Sequence, residues 1–526
     1  MNDMLEAGST CWRVERAPRA TLLLDMEPYL AAAKGAMLRA TRTIHFLNWA
    51  FDPDTVLDHA PDGPDSEPES IGRFLRSMSE LRPELDIRIL CWKSPLPVAA
   101  TQRFFPLRSH RFFAGTRVDF RLDGTLPLGA SHHQKAVIVD DSVAFCGSCD
   151  IGPDRWDSPE HLHPDPRRAK SQRGSPCYDC RHEVMAMVDG PPAVSLGQLF
   201  RDRWKRATEL ALPLTLPVAH DAWPAGVVPD FRDVPVGLSR TQAPWRDYPE
   251  VREGETATLA AIASAKSTIY LENQYFTSPI VAEALAQRLG EPDGPEVVLV
   301  STQHSPSWFD QMTMDKTRSV FLKRLEDADG YGRFRAYSPV TANDQIIIVH
   351  AKLAVIDDRY VRVGSSNVNN RSEGFDTECD LTLDGGKAAD GNGRACVSQF
   401  RDRLVAHWLG CEGDEVGDAV SHAGSLGGGI EVLRAKGRVR LQPLRSRSHG
   451  ALSNFIAMHH LGDPISAADS LRPWRRPAQM RHKLAAAIHR LDRAEIAAPE
   501  VPLGGPIEPE ASASSGNDDH PEGTSQ

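Results

Sequence analysis

The sequence predicts an α/β protein made of two similar α/β sandwich lobes, related by internal duplication, with a site in the cleft between them. Three observations predict it. Strand-type and helix-type segments alternate at the spacing of a layered α/β domain. The pattern H-x-K-x-x-x-x-D occurs twice, from His133 to Asp140 and from His350 to Asp357, and each copy runs through a short apolar segment into a Gly-Ser pair, Gly147-Ser148 and Gly364-Ser365. The distance between copies is also nearly constant, since His133 and His350 lie 217 residues apart and Ile44 and Ile269 lie 225 apart. Such a repeat outranks any local reading.

The elements follow in order. A strand over 21–24 leads to a helix over 29–39 and a strand over 43–49. A helix over 71–81 is followed by the apolar strand 86–92 (Asp-Ile-Arg-Ile-Leu-Cys-Trp). The first motif closes this series as a hairpin, its Asp140-Asp141 pair suited to a tight turn because short carboxylates bond nearby backbone and tolerate unusual dihedrals. Residues 153–176, rich in Pro, His and charge, read as a long surface loop of the length that usually serves function. A strand over 183–188 and a helix over 194–210 follow. The second half repeats the plan: helix 255–265, strand 267–273, helix 280–289, strand 296–300, then the second motif. Asn48 and Asn273 fall at equivalent places.

The expected organisation is a first lobe over 1–211, a Pro-rich linker over 212–245 carrying one strand at 235–240, and a second lobe over 246–412. An extension over 413–496 packs on the lobes, and a disordered acidic tail covers 497–526. In that extension 438–441 reads as a strand. Met480, Leu484, Ile488 and Leu491 mark one apolar helix face, opposite the basic Arg481, Lys483, Arg490 and Arg493.

At 526 residues the chain is long enough for two sizeable cores. Its formal net charge of -11 argues against broad nucleic-acid binding, which rests on a basic face. No apolar run reaches the ~18 residues a membrane helix needs, and the N-terminus lacks the form of a secretory signal. Nine cysteines do not suggest a disulfide framework. A monomer is expected, cytoplasmic or peripheral on a membrane, with signal-independent export left open.

A histidine beside a lysine suits attack on a phosphodiester. A neutral imidazole is a nucleophile that splits one hard displacement into two, and a second, protonated imidazole gives its proton to the leaving alkoxide. Lys135 and Lys352 supply positive charge for the non-bridging oxygens. Ser148, Ser365 and Asn367 are neutral donors, so no metal or other cofactor is expected. Each imidazole also needs an acceptor on its other nitrogen. Glu183 follows His133 and Glu378 follows His350, in equivalent strands.

These residues resemble the phospholipase D superfamily of the two-motif type, nearest to the eukaryotic-like enzymes found also in bacteria. The resemblance rests on His132-His133-Gln134-Lys135, Cys146 to Asp150 and Arg155-Trp156-Asp157 in the first half. In the second it rests on Glu272 to Phe276, His350 to Asp357, Gly364 to Asn367 and Asn370-Arg371-Ser372. It implies a covalent phosphohistidine and cleavage of a phospholipid at a membrane surface to phosphatidate and a free head group, with a primary alcohol able to replace water. His133, Lys135 and Asp140, with His350, Lys352 and Asp357, would form the catalytic set, with His133 as nucleophile and His350 as acid. Ser148, Asp150, Ser365, Asn367 and Asn273 would bind substrate. Glu183 stands where the family more often has Asp. Asp150 stands where the second copy has Asn367, and it is expected to turn away or be protonated. The rival reading is a cardiolipin-synthase-type phosphatidyltransferase; a superfamily nuclease and an inactive lipid-binding scaffold stand further off.

Two features point elsewhere. Cys146-x-x-Cys149 and Cys177-x-x-Cys180, with His161 and His163 between, have zinc-like spacing. Cys146 and Cys149 lie inside the catalytic hairpin, however, and the four read as buried or incidental thiols. The Arg155-Trp156-Asp157 loop, Phe104-Phe105 and Phe112-Phe113 suit either a lipid entry or core packing.

Overall fold

A computed structural model describes residues 4–60, 66–101, 104–168, 177–215, 218, 220–438, 440–446, 455, 459–470 and 473–492. The expected tail over 497–526 lies outside the described residues, as do Val439 and the side chains of Ile488 and Leu491.

One mixed sheet of sixteen strands runs through the protein. From one edge the order is Leu441–Pro443, Phe334–Pro339, Glu296–Val300, Thr268–Asn273, Lys352–Ile356, Tyr360–Gly364 and Glu378–Asp384. The central pair is Phe231–Gln242 and Arg13–Leu24. Beyond it come Val184–Asp189, Val143–Gly147, Ala136–Val139, Thr43–Asn48, Asp86–Trp92 and Asp119–Asp123, and the sixteenth strand, Val251–Arg252, pairs with Phe231–Gln242 off this path. Read outward from the centre, both halves use the same order and directions. In each, three antiparallel strands lead to a run of three parallel strands. The two halves expected from sequence share one sheet, because Arg13–Leu24 and Phe231–Gln242 pair antiparallel. The strand expected at 235–240 is twelve residues long and sits at the middle of the sheet.

Helices cover both faces. In the first half Ile44, Phe46, Ile87, Ile89, Val137 and Val139 pack against Tyr29, Leu30 and Met37 of helix Met26–Leu38 and Leu75 of helix Ile71–Leu81. Alternate residues of the same strands, Leu47, Ala136 and Ile138, face Leu196, Phe200 and Trp204 of helix Pro191–Thr208. That second cluster continues through Leu353 and Val355 to Leu404 and Trp408 of helix Gly393–Leu409. One apolar core therefore serves both halves, and burial at about 25 cal/mol per Å² makes it the main force joining them.

Each motif hairpin turns on its Asp-Asp pair. Asp140 and Asp141 have φ of 54° and 50°, Asp357 and Asp358 of 53° and 49°, the paired left-handed residues of a tight hairpin. The Asp140 carboxylate accepts from the backbone N–H of Thr41, Arg42 and Thr43 at 2.7–2.8 Å. Asp357 accepts likewise from Lys266, Ser267 and Thr268 at 2.6–2.9 Å. The glycines of the Gly-Ser pairs are required by close packing: a Cβ on Gly147 would meet Val184 O at 2.4 Å and one on Gly364 would meet Asp380 Oδ1 at 1.9 Å.

The described part of the expected surface loop is largely interior. His161, Asp157, Ser158, Asp165 and Arg168 are buried, because their charges are paired: Arg168 lies 3.3 Å from Asp157 and Arg167 2.9 Å from Asp165. Helix Arg476–Asp492 packs Met480 and Leu484 inward. Lys483, expected on the outer basic face, instead meets Glu255 at 3.1 Å and Glu373 at 2.9 Å. Among the described residues no helix is long and apolar enough to cross a membrane.

Candidate active site

The two motif histidines sit just ahead of strands Ala136–Val139 and Lys352–Ile356, and each is anchored by the opposite half. The His133 backbone N–H donates to Thr377 O at 3.0 Å, and that of His350 donates to His182 O at 2.8 Å. The side chains cross in the same way. His133 Nδ1 meets both oxygens of Glu378, at 3.0 and 2.9 Å, and His350 Nδ1 meets Glu183 Oε2 at 2.8 Å. Chain order pairs each glutamate with the histidine of its own half; the fold exchanges them. Sequence could not reveal this, since it follows from how the halves join.

Glu378 is held on both oxygens, by the Ser365 and Ser372 hydroxyls at 2.6 Å each. Ser148 braces the equivalent strand, accepting from Val184 N at 2.9 Å and donating to Val184 O at 3.2 Å. Ser148 and Ser365 thus support the site from behind.

Lys135 Nζ donates to His133 O at 2.7 Å, and Lys352 Nζ donates to His350 O at 2.5 Å and Gln274 Oε1 at 3.4 Å. Both lysines are buried. Burial pushes the Lys352 ammonium down to about 7, against the pull of Glu183. Burial, then Lys135 and Lys352, holds the His133 imidazole well below its usual range. Burial, then Lys352, Arg155, Arg181 and Lys135, does the same to His350. Each lysine therefore acts on the histidine of the other motif as well as its own. Burial also raises Glu378, against Lys135, and Glu183, against Lys352. In each His–Glu pair burial thus disfavours the charged form of both members.

Asp150 does not turn away. Its Oδ2 faces Lys135 Nζ at 3.4 Å, while Oδ1 accepts from Trp49 and Ala50 N at 3.2 Å. Asn273 shapes the adjoining loop, accepting from Tyr275 N and Val368 N at 3.1 Å each. Asn367 Oδ1 is buried without a hydrogen-bond partner among the described residues. It shares a recess with Lys352, Asn273 and Ser366. The structure does not bring Asp140 and Asp357 to the histidines: they lie at the far ends of the hairpin strands, seven residues or roughly 23 Å of extended chain away, and their carboxylates accept from backbone N–H groups.

Sequence reasoning missed Asp376 and Asp463. Asp376 pairs with Arg371 Nε and NH2 at 2.8 and 2.7 Å and accepts from Ser131 N at 2.7 Å, tying the first motif to the second half. Its place two residues before Glu378 was the available signal. Asp463 accepts from Thr277 Oγ1, Asn370 N and Arg371 N, each at 3.0 Å, from a segment with no motif of its own. The four zinc-spaced thiols do not gather. Cys146 Sγ donates to Cys379 O at 3.6 Å, Cys177 Sγ to Asp165 O at 3.2 Å and Cys180 Sγ to His161 O at 3.5 Å. Trp156, Phe105 and Phe113 are core residues, while Phe104 is 45 % exposed.

Fold and site together define an α/β protein with one composite site, built from two histidine–lysine pairs and two glutamates exchanged between its halves. A family model described as "Cardiolipin synthase, PLD-like domain" matches residues 258–393. Phospholipase D alpha 4 of Arabidopsis thaliana is 23 % identical over 448 residues, 64 % of this chain and 58 % of that protein. Phospholipase D1 of Saccharomyces cerevisiae is 24 % identical over 490 residues, 75 % of this chain and 29 % of that protein. The chain therefore spans little more than half of the first relative and under a third of the second. The crystal structure of phosphatidylserine synthase from Haemophilus influenzae Rd KW20 superposes with a TM-score of 0.52 at 12 % identity, covering 81 % of this chain and 94 % of that one, and so shares the fold. These likenesses all point to the phospholipase D superfamily, to whose members the chain is similar.

Proposed function

We propose that this chain is a phosphodiesterase of the phospholipase D type, cleaving glycerophospholipids to phosphatidate and free head group through a phosphohistidine. The observation that carries the reading is the exchange of glutamates: each imidazole is gripped at Nδ1 by the other half, leaving Nε2 as the reacting atom. His133, the more open ring with 15 % of its side chain accessible, attacks phosphorus through Nε2 as the neutral imidazole. The phosphorus–oxygen bond to the head group breaks, and that oxygen takes the proton held on His350 Nε2. Burial opposes a charged His350 in the free protein; the anionic phosphodiester, with Glu183 at Nδ1, supplies the countercharge when bound. In the second half-reaction His350 removes a proton from water or a primary alcohol, which displaces His133. Lys135 and Lys352 hold the non-bridging oxygens.

A phosphatidyltransferase is the second reading, favoured by the family model that matches 258–393. It differs only in the acceptor of the second step. Mass spectrometry of products from mixed phospholipids, with and without ethanol, separates the two. Phosphatidate without ethanol and phosphatidylethanol with it support the first; cardiolipin as main product favours the second; cleavage of DNA alone overturns both.

A further inference from the structure

Behind the catalytic histidines lies a second histidine cluster that the reaction does not use. Asp25, His161, His182 and His407 each aim one ligand-type atom at a common point, all within 4.8 Å of one another. We propose that these four residues bind a zinc-class divalent cation as a closed structural site.

The spacings among His161, His407 and Asp25 Oδ2 are near those of a coordination shell, and His182 Nδ1 reaches the group through a hydrogen bond to the other Asp25 oxygen. His161 Nε2 and His407 Nε2 lie 3.0 Å apart. Asp25 Oδ2 is 3.6 Å from the first and 3.5 Å from the second. His182 Nδ1 is 2.8 Å from Asp25 Oδ1. Tetrahedral zinc with bonds of about 2.0–2.1 Å sets its ligand atoms about 3.3 Å apart. Asp25 Oδ2 is fully buried and has no hydrogen-bond partner among the described residues. An orphaned buried carboxylate oxygen, aimed at two imidazole nitrogens, calls for a cation.

Two of the three imidazoles carry an outer partner. His161 Nδ1 meets Asp157 Oδ2 at 2.8 Å, and His182 Nε2 meets Glu272 Oε2 at 3.0 Å. Glu272 Oε1 accepts in turn from Trp408 Nε1 at 2.7 Å and Tyr270 OH at 2.5 Å, and Arg168 lies 3.3 Å from Asp157. A carboxylate on the far nitrogen fixes the tautomer of a metal-bound imidazole and raises its basicity. Two of the four ligands also sit at left-handed backbone, Asp25 at φ 69° and His161 at φ 46°, strain that persists where a site over-determines it. Three imidazoles with one carboxylate suit zinc over the oxygen-seeking calcium or magnesium.

The ligands come from four separate segments: the junction before helix Met26–Leu38, the loop after the first hairpin, the short strand Arg181–His182 and helix Gly393–Leu409 of the second half. A cation there staples the halves together. It also fixes His182, whose carbonyl accepts from His350 N and whose neighbour is Glu183.

The test is the metal content of the full chain, made without a polyhistidine tag, loaded with excess Zn²⁺ and desalted. Close to one zinc per chain is expected, and about none in His407→Ala or Asp25→Ala. Cobalt loading of the unaltered chain adds a readout independent of variant folding: intense visible bands of tetrahedral, thiolate-free Co²⁺ are expected. Removal of zinc by a chelator should lower Tm. The proposal is overturned if the loaded chain holds no stoichiometric zinc. It is equally overturned if folded His407→Ala keeps it, or if cobalt shows octahedral or thiolate bands.

Discussion

Replacing Glu378 by Gln tests the exchanged pairing most sharply. The carboxylate accepts from His133 Nδ1 and from the Ser365 and Ser372 hydroxyls, and it is fully buried. Glutamine keeps the shape but removes the charge and turns one acceptor oxygen into a donor. A hydrogen bond to a buried charged group contributes about 1.5–3 kcal/mol, roughly 10- to 150-fold in rate at 1.36 kcal/mol per decade. Loss of control over the imidazole tautomer adds to this, so turnover should fall about 10²- to 10⁴-fold. Thermal stability should change little, because the substitution also removes a group whose charged form burial disfavours. Choline release from phosphatidylcholine micelles reports the rate, and NMR of the ring protons reports the partner. The Nδ1–H signal of His133 should move while that of His350 stays. Movement of the His350 signal instead, or turnover near that of the parent, would refute the pairing.

Other outcomes follow from the same geometry. His133→Ala and His350→Ala should each abolish turnover, measured as phosphatidate formed; substantial activity in either contradicts a shared site. The rate should be bell-shaped in pH, since one imidazole must be bare and the other charged; a monotonic profile from about pH 5 to 9 would count against that division. Asp140→Ala should cost about 2–4 kcal/mol in urea unfolding by orphaning three backbone donors, while activity per folded molecule persists; a stable but inactive variant would show that this aspartate does more than brace. His45, stacked on Phe200 and buried, is held down to about 3 by burial. The unfolded chain therefore binds a proton below about pH 6.5 that the native state refuses, and stability falls as pH drops by about 1.4 kcal/mol per unit from this group. His45→Phe should narrow the stability gap between pH 7 and pH 5 by about 2 kcal/mol; an unchanged gap removes His45 as a source of acid sensitivity.

Local pattern carried well where a segment answers to its own chemistry. Helix Ile71–Leu81 and strands Asp86–Trp92 and Glu296–Val300 have the predicted bounds, since apolar periodicity and length decide them. The Asp-Asp turns were legible because few residues accept paired left-handed dihedrals. Strands Asp119–Asp123 and Phe334–Pro339 went unseen; both extend a sheet by parallel pairing with a distant strand, which leaves no mark on neighbouring sequence. The histidine–lysine pairs could be read directly. Their glutamates were found but given to the wrong histidine in each case, because adjacency along the chain says nothing about which half closes over which. Asp140 and Asp357 carry the repeat as strongly as the histidines do, yet a repeated residue marks a shared structural need as readily as a chemical one.

The account comes down to a single reacting phosphorus served by both halves. Incubating the protein with short-chain phosphatidylcholine, quenching in alkali and mapping adducts by mass spectrometry tests this directly. One histidine, His133, should carry the phosphatidyl group, and His350→Ala should form the adduct slowly or not at all. Adducts on both histidines, each forming at the parent rate when the other is replaced, would mean two independent sites.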